Sequence, residues 1–386
     1  MNKTHQLVKS KHPNLQLSIF AVMSQMASEY GAINLSQGFP DFNCSNRLIE
    51  RVNHYMEKGK NQYAPMPGIL KLREALAEKV EELYGAQFHP DTEITITAGA
   101  TQALYTAITT LIHPGDEVIV FEPAYDAYGP VIEYNAGKPV YINMRYPDYR
   151  INWDEVQDAI SDKTRMIIIN SPHNPTGAVL SPEDIKYLIQ IVQGTGIFIV
   201  SDEVYEHIIF DDIRHESVAR YPELTDRGLI ISSFGKTYHT TGWKIGYCLA
   251  PEHIMTEFRK LHQFITFAVN TPVQWAFADY IKDDSHYEQL REFYQHKRDL
   301  LKNLITGSRF RILPCKGTYF QMVDYEQISQ VPDMDFAKQL IREHKIATVP
   351  ISPFYESARN ARHVLRLCFA KKDDTLKKAA EVLCRI

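Results

Sequence analysis

Short apolar runs, rich in branched side chains, recur through the middle of the chain and constrain its fold more than any other feature. They read EVIVF, PVYI, MIIIN, IFIVSD, LIISS and IGYCLA. The runs are apolar throughout instead of alternating, which is typical of strands buried on both faces of a mainly parallel sheet. Most are separated by a segment of helix length, for example 182–192. The pattern predicts an α/β fold with helices on both faces of the sheet.

The rhythm of the pattern changes in the last third of the chain. Long helical patterns run from Pro251 to about Ile305, and shorter strand and helix units follow Pro314. A chain of 386 residues is also too long for one ordinary core. We therefore expect three parts: an N-terminal segment, 1–44, packing with the small domain; a large domain, 45–290; and a small α+β domain, 291–386.

Composition excludes several classes of protein. The formal charge of −5 disfavours a nucleic-acid binder held mainly by phosphate neutralisation. The five cysteines are far apart, odd in number and form no C-x-x-C, so we expect free thiols without a disulfide framework or a thiolate zinc site. No H-E-x-x-H pattern occurs, and we predict no catalytic metal.

The N-terminal residues give no targeting signal. Their longest apolar run is IFAVM, too short for a signal peptide. Acids are absent before Glu29, as in a mitochondrial transit peptide, but arginine is also absent before Arg47, unlike one. No segment is long enough to span a membrane. We expect a cytoplasmic protein.

Polar motifs follow three of the apolar runs, at the point where each predicted strand ends. SPHNPTG follows MIIIN, SDEVY follows IFIV, and SFGKT follows LIIS. Ligands of open α/β sheets bind beyond the carboxyl ends of the strands. Upstream, AGAT opens a helix whose free N–H groups suit a phosphate. Singly, these motifs are explained by a turn, a helix cap, tight packing or a surface lysine; their succession at strand ends favours one shared site.

The GKT sequence also suggests a nucleotide-binding loop, but the spacing excludes it. That loop needs a glycine where this chain has Ile230, and the nearest upstream glycine is Gly228. No G-x-G-x-x-G occurs either.

With these motifs in register, the chain resembles the fold-type-I, pyridoxal-phosphate-dependent class I aminotransferases over essentially its whole length. The motifs that carry the resemblance are INLSQGFPDF, NPTG, SDEVY, SFGKT, GWKIGY and RLCFA. INLSQGFPDF and NQYAPMPGILKLREALA are most similar to the branch of methionine aminotransferases and kynurenine–oxoglutarate (glutamine-type) transaminases. The resemblance implies a three-layer α/β/α large domain, a smaller α+β domain, and pyridoxal 5′-phosphate as cofactor.

The resemblance assigns five residues to the cofactor ring. Lys236 matches the lysine that forms a Schiff base with the cofactor aldehyde and then moves protons. Asp202 matches the carboxylate that pairs with the pyridinium nitrogen. Asn174 and Tyr205 match donors to the phenolic oxygen, and Tyr125 matches the stacked aromatic residue. Tyr205 lies three positions past Asp202, about one helical turn, so we expect both on one face of a helix.

Five further residues are assigned to the cofactor phosphate. Ala100 and Thr101 would donate from the start of a helix, and Ser233 and Lys244 match a hydroxyl and a cationic contact. Tyr63 matches a tyrosine that reaches the neighbouring subunit's phosphate, which implies a homodimer. Two positions depart from the family pattern: Ala100 stands where a second glycine is common, and Lys244 where many relatives have arginine.

The resemblance also assigns the substrate site and the reaction. Arg366 matches the arginine that binds the substrate α-carboxylate, with Asn174 and the Gly38 backbone N–H beside it. The expected reaction is ping-pong transfer of an amino group from an L-amino acid, methionine first and then aromatic ones, to a 2-oxo acid. Lys236, Asp202 and Tyr205 are the expected catalytic residues.

Two other functions are open to a chain of this kind. A C–S β-lyase acting on cysteine conjugates would use the same lysine and cofactor, and release of pyruvate without a 2-oxo acid would identify it. A non-catalytic regulator on this fold would need an added DNA-binding domain, for which the 386 residues leave no room.

Overall fold

The structure is a computed structural model that describes residues 10, 17–357 and 362–386. The prediction that the N-terminus carries no targeting signal falls in part on residues 1–9 and 11–16, which lie outside the described residues. The helices are α1 (Ile19–Glu29), α2 (Asn46–Glu57), α3 (Leu70–Tyr84), α4 (Ala100–Leu111), α5 (Tyr128–Tyr134), α6 (Trp153–Ala159), α7 (Pro182–Val192), α8 (Pro222–Thr225), α9 (Phe234–Thr237), α10 (Glu252–Ile265), α11 (Thr271–Tyr280), α12 (Ser285–Ile305), α13 (Asp333–His344) and α14 (Asp373–Leu383).

The strands form one large sheet and two small ones. Their bounds are β1 (Ile33–Asn34), β2 (Ile94–Thr97), β3 (Glu117–Glu122), β4 (Lys138–Asn143), β5 (Thr164–Asn170), β6 (Phe198–Asp202), β7 (Gly228–Ser233), β8 (Gly246–Leu249), β9 (Arg311–Ile312), β10 (Phe320–Asp324), β11 (Ile346–Ala347), β12 (Val349–Pro350) and β13 (Val364–Cys368).

The large sheet has the strand order β2-β8-β7-β6-β5-β3-β4. Strands β7, β6, β5, β3 and β4 are parallel to one another, whereas β8 runs antiparallel to both β2 and β7. The central strands are almost entirely buried, with helices packed over both faces. The predicted α/β class with a mainly parallel sheet is confirmed.

The C-terminal part contains the antiparallel sheet β12-β13-β10-β9. Strand β1 from the N-terminal segment pairs with β11, and α1 packs against β11 and α13. The predicted domain limit at 290 falls inside α12, which continues to Ile305. The domain limits stay predictions.

The register of the large sheet brings the strand-end motifs together. Asn170 at the end of β5 is paired with Asp202 at the end of β6, and Asp202 is paired with Ile231 of β7. The expected helix after Asp202 is wrong. Residues 203–207 form a turn, closed by the Glu206 N–H donating to the Glu203 carbonyl at 2.9 Å. Both of these glutamates are buried, and their carboxylates accept from Ser201, Val218 and Ser232, so the segment is held as a turn.

None of the helices in the described ranges combines the length and the apolar composition needed to cross a lipid bilayer.

Candidate active site

A cavity of about 260 Å³ lies at the carboxyl ends of β5, β6 and β7. It gathers residues from the N-terminal segment, the AGAT turn and all three strand-end motifs. The predicted site residues that line it are Gly38, Ala100, Thr101, Tyr125, Asn174, Asp202, Tyr205, Ser233, Lys236 and Lys244. Arg366 does not line the cavity but is hydrogen-bonded to Asn174, which does. Tyr63 lies outside the cavity, on the protein surface.

Lys236 is placed in the cavity by the short helix α9. The Ser233 hydroxyl caps this helix by accepting from the Gly235 N–H at 3.2 Å. Lys236 Nζ donates to the Tyr319 hydroxyl at 3.0 Å and to the Gly38 carbonyl at 3.4 Å. Burial lowers the pKa of this amine to about 8. A substantial fraction is therefore neutral near physiological pH and able to act as a nucleophile or base.

Asp202 ends β6 and is only 4% exposed. Burial raises the pKa of its carboxyl to about 6, although the Tyr128 hydroxyl and the Val204 N–H act in the opposite direction. Tyr128 donates to Oδ2 at 2.6 Å, and Val204 donates to Oδ1 at 3.4 Å. The carboxylate is thus held in one orientation and would be further favoured by a nearby cation.

Asn170 fixes the loop that carries Asn174. Its Oδ1 accepts from the Asn174 N–H, and its Nδ2 donates to the Asp202 carbonyl, both at 2.8 Å. One side chain therefore ties the SPHNPTG loop to β6.

Tyr205 and Tyr125 form aromatic walls of the cavity. Tyr205 is 3% exposed, and Lys236 Nζ lies 5.6 Å from its ring centroid. The Tyr125 ring meets Tyr128 edge-on, with centroids 5.6 Å apart. Burial raises the pKa of both Tyr125 and Tyr205, so both keep their hydroxyl proton at neutral pH and can donate it.

The AGAT turn forms the opposite end of the cavity. Gly99 has a φ of +81°, in the left-handed region that favours glycine, and a Cβ there would lie 3.4 Å from Lys244 Nζ. Ala100 is already the first residue of α4, so no second glycine is required for the turn. Free N–H groups at the start of α4 and the Lys244 ammonium together make this end of the cavity an anion site.

Arg366 lies in the middle of β13 and is 1% exposed. Its guanidinium donates to Asn174 Oδ1 at 2.7 Å and to the Ser36 carbonyl at 3.2 Å, and it stacks on Phe320 at 3.8 Å. Its buried Nε has no hydrogen-bond partner in the described part of the chain. No carboxylate there lies within the 4.0 Å of an ion pair. A buried cation without a counterion is costly unless an anion joins it.

Gly38 is required by packing. A Cβ at this position would lie 2.9 Å from the tip of the Phe320 ring. The Gly38 carbonyl accepts from Tyr319 and from Lys236. The structure therefore gives a reason for glycine, contact with Phe320, that the sequence did not show.

Tyr63 lies on an exposed aromatic patch. It is 81% exposed and meets the Phe267 ring edge-on at 5.2 Å, and Phe267 is itself 56% exposed. Phe264 nearby in sequence is 84% exposed.

Sequence reasoning missed three residues of this site: Tyr128, Asn170 and Tyr319. Tyr128 follows Tyr125 by three residues in EPAYDAY, and Asn170 ends MIIIN, so both stood inside motifs already singled out. Tyr319 precedes β10 and carried no signal, since its partners lie far away in the chain.

Comparison with known proteins identifies the relatives of this chain. A family model described as aminotransferase class I and II matches residues 30–383. A methionine aminotransferase from Escherichia coli is 49% identical over 376 residues, 97% of each chain. A kynurenine–oxoglutarate transaminase from Dictyostelium discoideum is 32% identical over 96% of this chain and 94% of its own.

Solved structures that resemble this chain are also aminotransferases. A methionine aminotransferase from Escherichia coli superposes with a TM-score of 0.96 at 49% identity, covering 98% of this chain and 99% of that one. N-succinyldiaminopimelate aminotransferase from Mycobacterium tuberculosis superposes with a TM-score of 0.94 at 33% identity, with the same coverage.

Proposed function

We propose that this chain, which belongs to the class I and II aminotransferases and uses pyridoxal 5′-phosphate, transfers the amino group of L-methionine to a 2-oxo acid. Aromatic L-amino acids are the second class of donor. The preference for methionine is supported by 49% identity to the Escherichia coli methionine aminotransferase. The aromatic donors are supported by 32% identity to a kynurenine–oxoglutarate transaminase. The observation that carries the proposal is Lys236, a reactive amine in a cavity it shares with a buried carboxylate.

The residues of the cavity fit this cofactor at its phosphate end. Gly99 has no side chain beside Lys244, and its φ of +81° allows the sharp turn that points the first N–H groups of α4 toward that end of the cavity. The N–H groups of Ala100 and Thr101, the Ser233 hydroxyl and the Lys244 ammonium would hold the phosphate.

The residues also fit the ring. Asp202 would pair with the protonated ring nitrogen, a contact that favours the charged form of both groups. Asn174 and the protonated hydroxyl of Tyr205 would donate to the phenolic oxygen, and Tyr125 would stack on the ring face.

Arg366 is the group that would bind the substrate α-carboxylate. Its guanidinium is buried, has no carboxylate of the described residues within ion-pair distance, with Asp126 acting on it from farther away, and has an Nε without a hydrogen-bond partner among those residues, so a substrate carboxylate would supply the contact that the fold leaves out. Planar guanidinium binds a carboxylate through two parallel hydrogen bonds. Gly38 and Asn174 would complete this contact.

When bound, the cofactor supplies a conjugated ring that accepts electron density from the substrate α-carbon and carries the amino group between two half-reactions. Lys236 Nζ would take the proton from the substrate α-carbon and later return it to carbon, and an amine whose burial lowers its pKa to about 8 suits this role. Asp202 would balance positive charge on the ring, Tyr205 and Asn174 would hold the ring oxygen, and Arg366 would orient the substrate.

A homodimer would complete the site. Tyr63 and Phe267 are largely exposed aromatic residues in contact with each other, and such patches mark protein interfaces. In this arrangement Tyr63 would reach the cofactor phosphate of the neighbouring subunit. Two variants test this arrangement. By sedimentation, Tyr63→Phe should stay dimeric, and titration with the cofactor should show weaker binding. Phe264→Asp should sediment as a monomer.

A reducing cytoplasmic location is supported by the thiols. Cys44, Cys248, Cys315, Cys368 and Cys384 are all free.

The absorbance spectrum of the purified holoenzyme tests the reaction. The visible band of the bound cofactor should bleach on addition of L-methionine and return on addition of a 2-oxo acid. A band that L-phenylalanine bleaches faster than L-methionine at equal concentration would overturn the donor preference. Pyruvate release from a cysteine S-conjugate, in the absence of any 2-oxo acid and faster than transamination, would overturn the assignment in favour of the lyase.

A further inference from the structure

Tyr319 joins three distant parts of the chain at the catalytic amine. It stands between β9 and β10, is fully buried, and meets the Tyr205 ring edge-on at 5.1 Å. Its hydroxyl accepts from Lys236 Nζ at 3.0 Å and donates to the Gly38 carbonyl. The C-terminal part of the chain thus reaches both α9 and the N-terminal segment through one hydroxyl group.

The direction of these hydrogen bonds follows from their chemistry. A backbone carbonyl only accepts, so the Tyr319 proton is directed to Gly38. The oxygen lone pairs of Tyr319 then remain for Lys236 and for the Tyr205 hydroxyl, which is also hydrogen-bonded to Tyr319. Because an acceptor favours the charged form of a donor amine, Tyr319 stabilises the ammonium of Lys236 over the neutral amine.

We propose that Tyr319 is a positioning residue, which holds the free amine of Lys236 and stabilises it whenever it carries the α-proton. The inference rests on the proposed role of Lys236. The proton passes from the substrate α-carbon to Nζ and back to carbon, and Tyr319 neither gains nor loses a proton. Its hydroxyl keeps Nζ between Gly38 and the cavity.

Other groups also act on the charge of Lys236. Burial lowers its pKa most; Cys368 and Asp202 raise the pKa, and Arg366 and Lys244 lower it. These groups lie on β13, β6 and the loop before β8, and a change at Tyr319 leaves them in place. A change in the titration of Lys236 on removing the Tyr319 hydroxyl therefore reports on that hydroxyl.

Tyr294 provides a matched control. It is also fully buried, and its ring lies 5.7 Å from that of Tyr319. Its hydroxyl has no hydrogen-bond partner among the described residues. Tyr319→Phe and Tyr294→Phe thus remove the same atom from adjacent rings, but only the first breaks a contact with Lys236.

The experiment compares both variants with the wild type in two assays. In the holoenzyme, Tyr319→Phe should lower kcat about tenfold, the effect of one lost hydrogen bond to a charged group, with KM for L-methionine little changed. The isotope effect with α-deuterated methionine should rise, because proton transfer becomes slower relative to the other steps. Tyr294→Phe should match the wild type in both measurements.

The second assay does not depend on turnover. In the cofactor-free chain, the rate at which acetic anhydride modifies Lys236 is followed against pH by peptide mass spectrometry. The midpoint should lie at lower pH in Tyr319→Phe than in the wild type or in Tyr294→Phe. An unchanged midpoint and an unchanged isotope effect would overturn the proposal.

Two further variants keep the result unambiguous. If Tyr319→Phe folds poorly, 4-aminophenylalanine at position 319 keeps the shape and the donor to Gly38 but is a weaker acceptor that stays neutral in this pH range, so the midpoint should still fall; an unchanged midpoint contradicts the proposal. If Lys236→Ala retains transamination, the proposed function itself is wrong. If Lys236→Ala is inactive while Tyr319→Phe behaves like Tyr294→Phe, only the role of Tyr319 is wrong.

Discussion

Two sets of buried charged side chains lie close to residues 202–206. In the Glu206 set the carboxylate contacts its cation Lys79, whereas the cavity set, Arg366 and Lys236, has no such ion pair in the part of the chain that the structure describes. Glu206 accepts from Lys79 Nζ at 3.0 Å, Tyr247 at 2.8 Å, Ser232 at 2.9 Å, and from Tyr84. Burial raises the pKa of Glu206, but Lys79 and the hydroxyl donors outweigh it and hold the pKa below its usual range. On the cavity side, Arg366 and Lys236 have hydrogen bonds, but no carboxylate of the described residues lies within ion-pair distance of either; Asp126 and Asp202 act on them from farther away.

This difference distinguishes buried charges that stabilise the fold from buried charges that act on a ligand. A buried charge with its partner in place has nothing left to bind, and its loss is felt in stability. A buried cation that the fold leaves without a counterion is prepared for an anionic ligand. The account therefore predicts that changes in the cavity set affect turnover, whereas changes in the Glu206 set affect folding.

The largest expected effect is on turnover in Lys236→Ala. Removing the base that transfers the proton should lower kcat by about 10²–10⁴-fold or more. The free energy of unfolding should not fall, because the amine is held without a carboxylate. Steady-state kinetics and urea denaturation measure the two quantities. If Lys236→Ala unfolded at lower urea concentration but kept a normal kcat, Lys236 would be a stabilising residue and not a catalytic one.

The second effect is on stability in Glu206→Gln. This change leaves the Lys79 ammonium buried without a counterion, at a cost of about 3–5 kcal/mol of unfolding free energy. KM for L-methionine should stay near the wild-type value. The double variant Lys79→Met with Glu206→Gln should recover part of the loss, since no lone charge remains. Equal losses in the single and double variants would contradict a paired network.

The third effect depends on pH and concerns Asp202 in the cofactor-free protein. Its folded pKa of about 6 lies above the ordinary 3.8, so ionisation favours the unfolded state. The wild type loses stability relative to Asp202→Asn as pH rises through this interval. The difference is absent below the lower value and constant above the higher one, at about 3 kcal/mol. Urea denaturation of both proteins at a series of pH values measures it; a difference independent of pH would contradict the burial of this charge.

The smallest effect is expected from Arg366→Lys. Lysine cannot form the bidentate hydrogen bonds that the arginine guanidinium would make to the substrate α-carboxylate. KM for L-methionine and for the 2-oxo acid should therefore rise about 10–100-fold, with stability retained. Arg298→Lys is the matched control, because Arg298 is 4% exposed but forms two 2.6 Å contacts to Asp211. The control should lose stability and keep its KM. A loss of stability in Arg366→Lys together with a raised KM in Arg298→Lys would contradict the assigned roles of the two arginines.

The sequence predicted the parts of this molecule whose signals are local. The apolar runs became the strands of the large sheet, and the polar motifs after them line one cavity because parallel strands end at the same edge. Lys236 and Asp202 were found in this way.

Contacts between distant residues could not be predicted. Tyr128 reaches Asp202 across 74 positions, and Tyr319 reaches Lys236 across 83. The helix expected after Asp202 was wrong because Glu203 and Glu206 are bonded inside the core, which local spacing does not reveal. The missing counterion of Arg366 is likewise a property of the folded chain alone.

Lys236, and not Lys244, is the lysine that we propose carries the cofactor. Reduction of the holoenzyme with borohydride fixes the cofactor to its lysine, and proteolysis with mass spectrometry then locates it. We expect the added mass of the reduced cofactor on Lys236. Added mass on Lys244, or on no lysine of the cavity, would contradict this proposal.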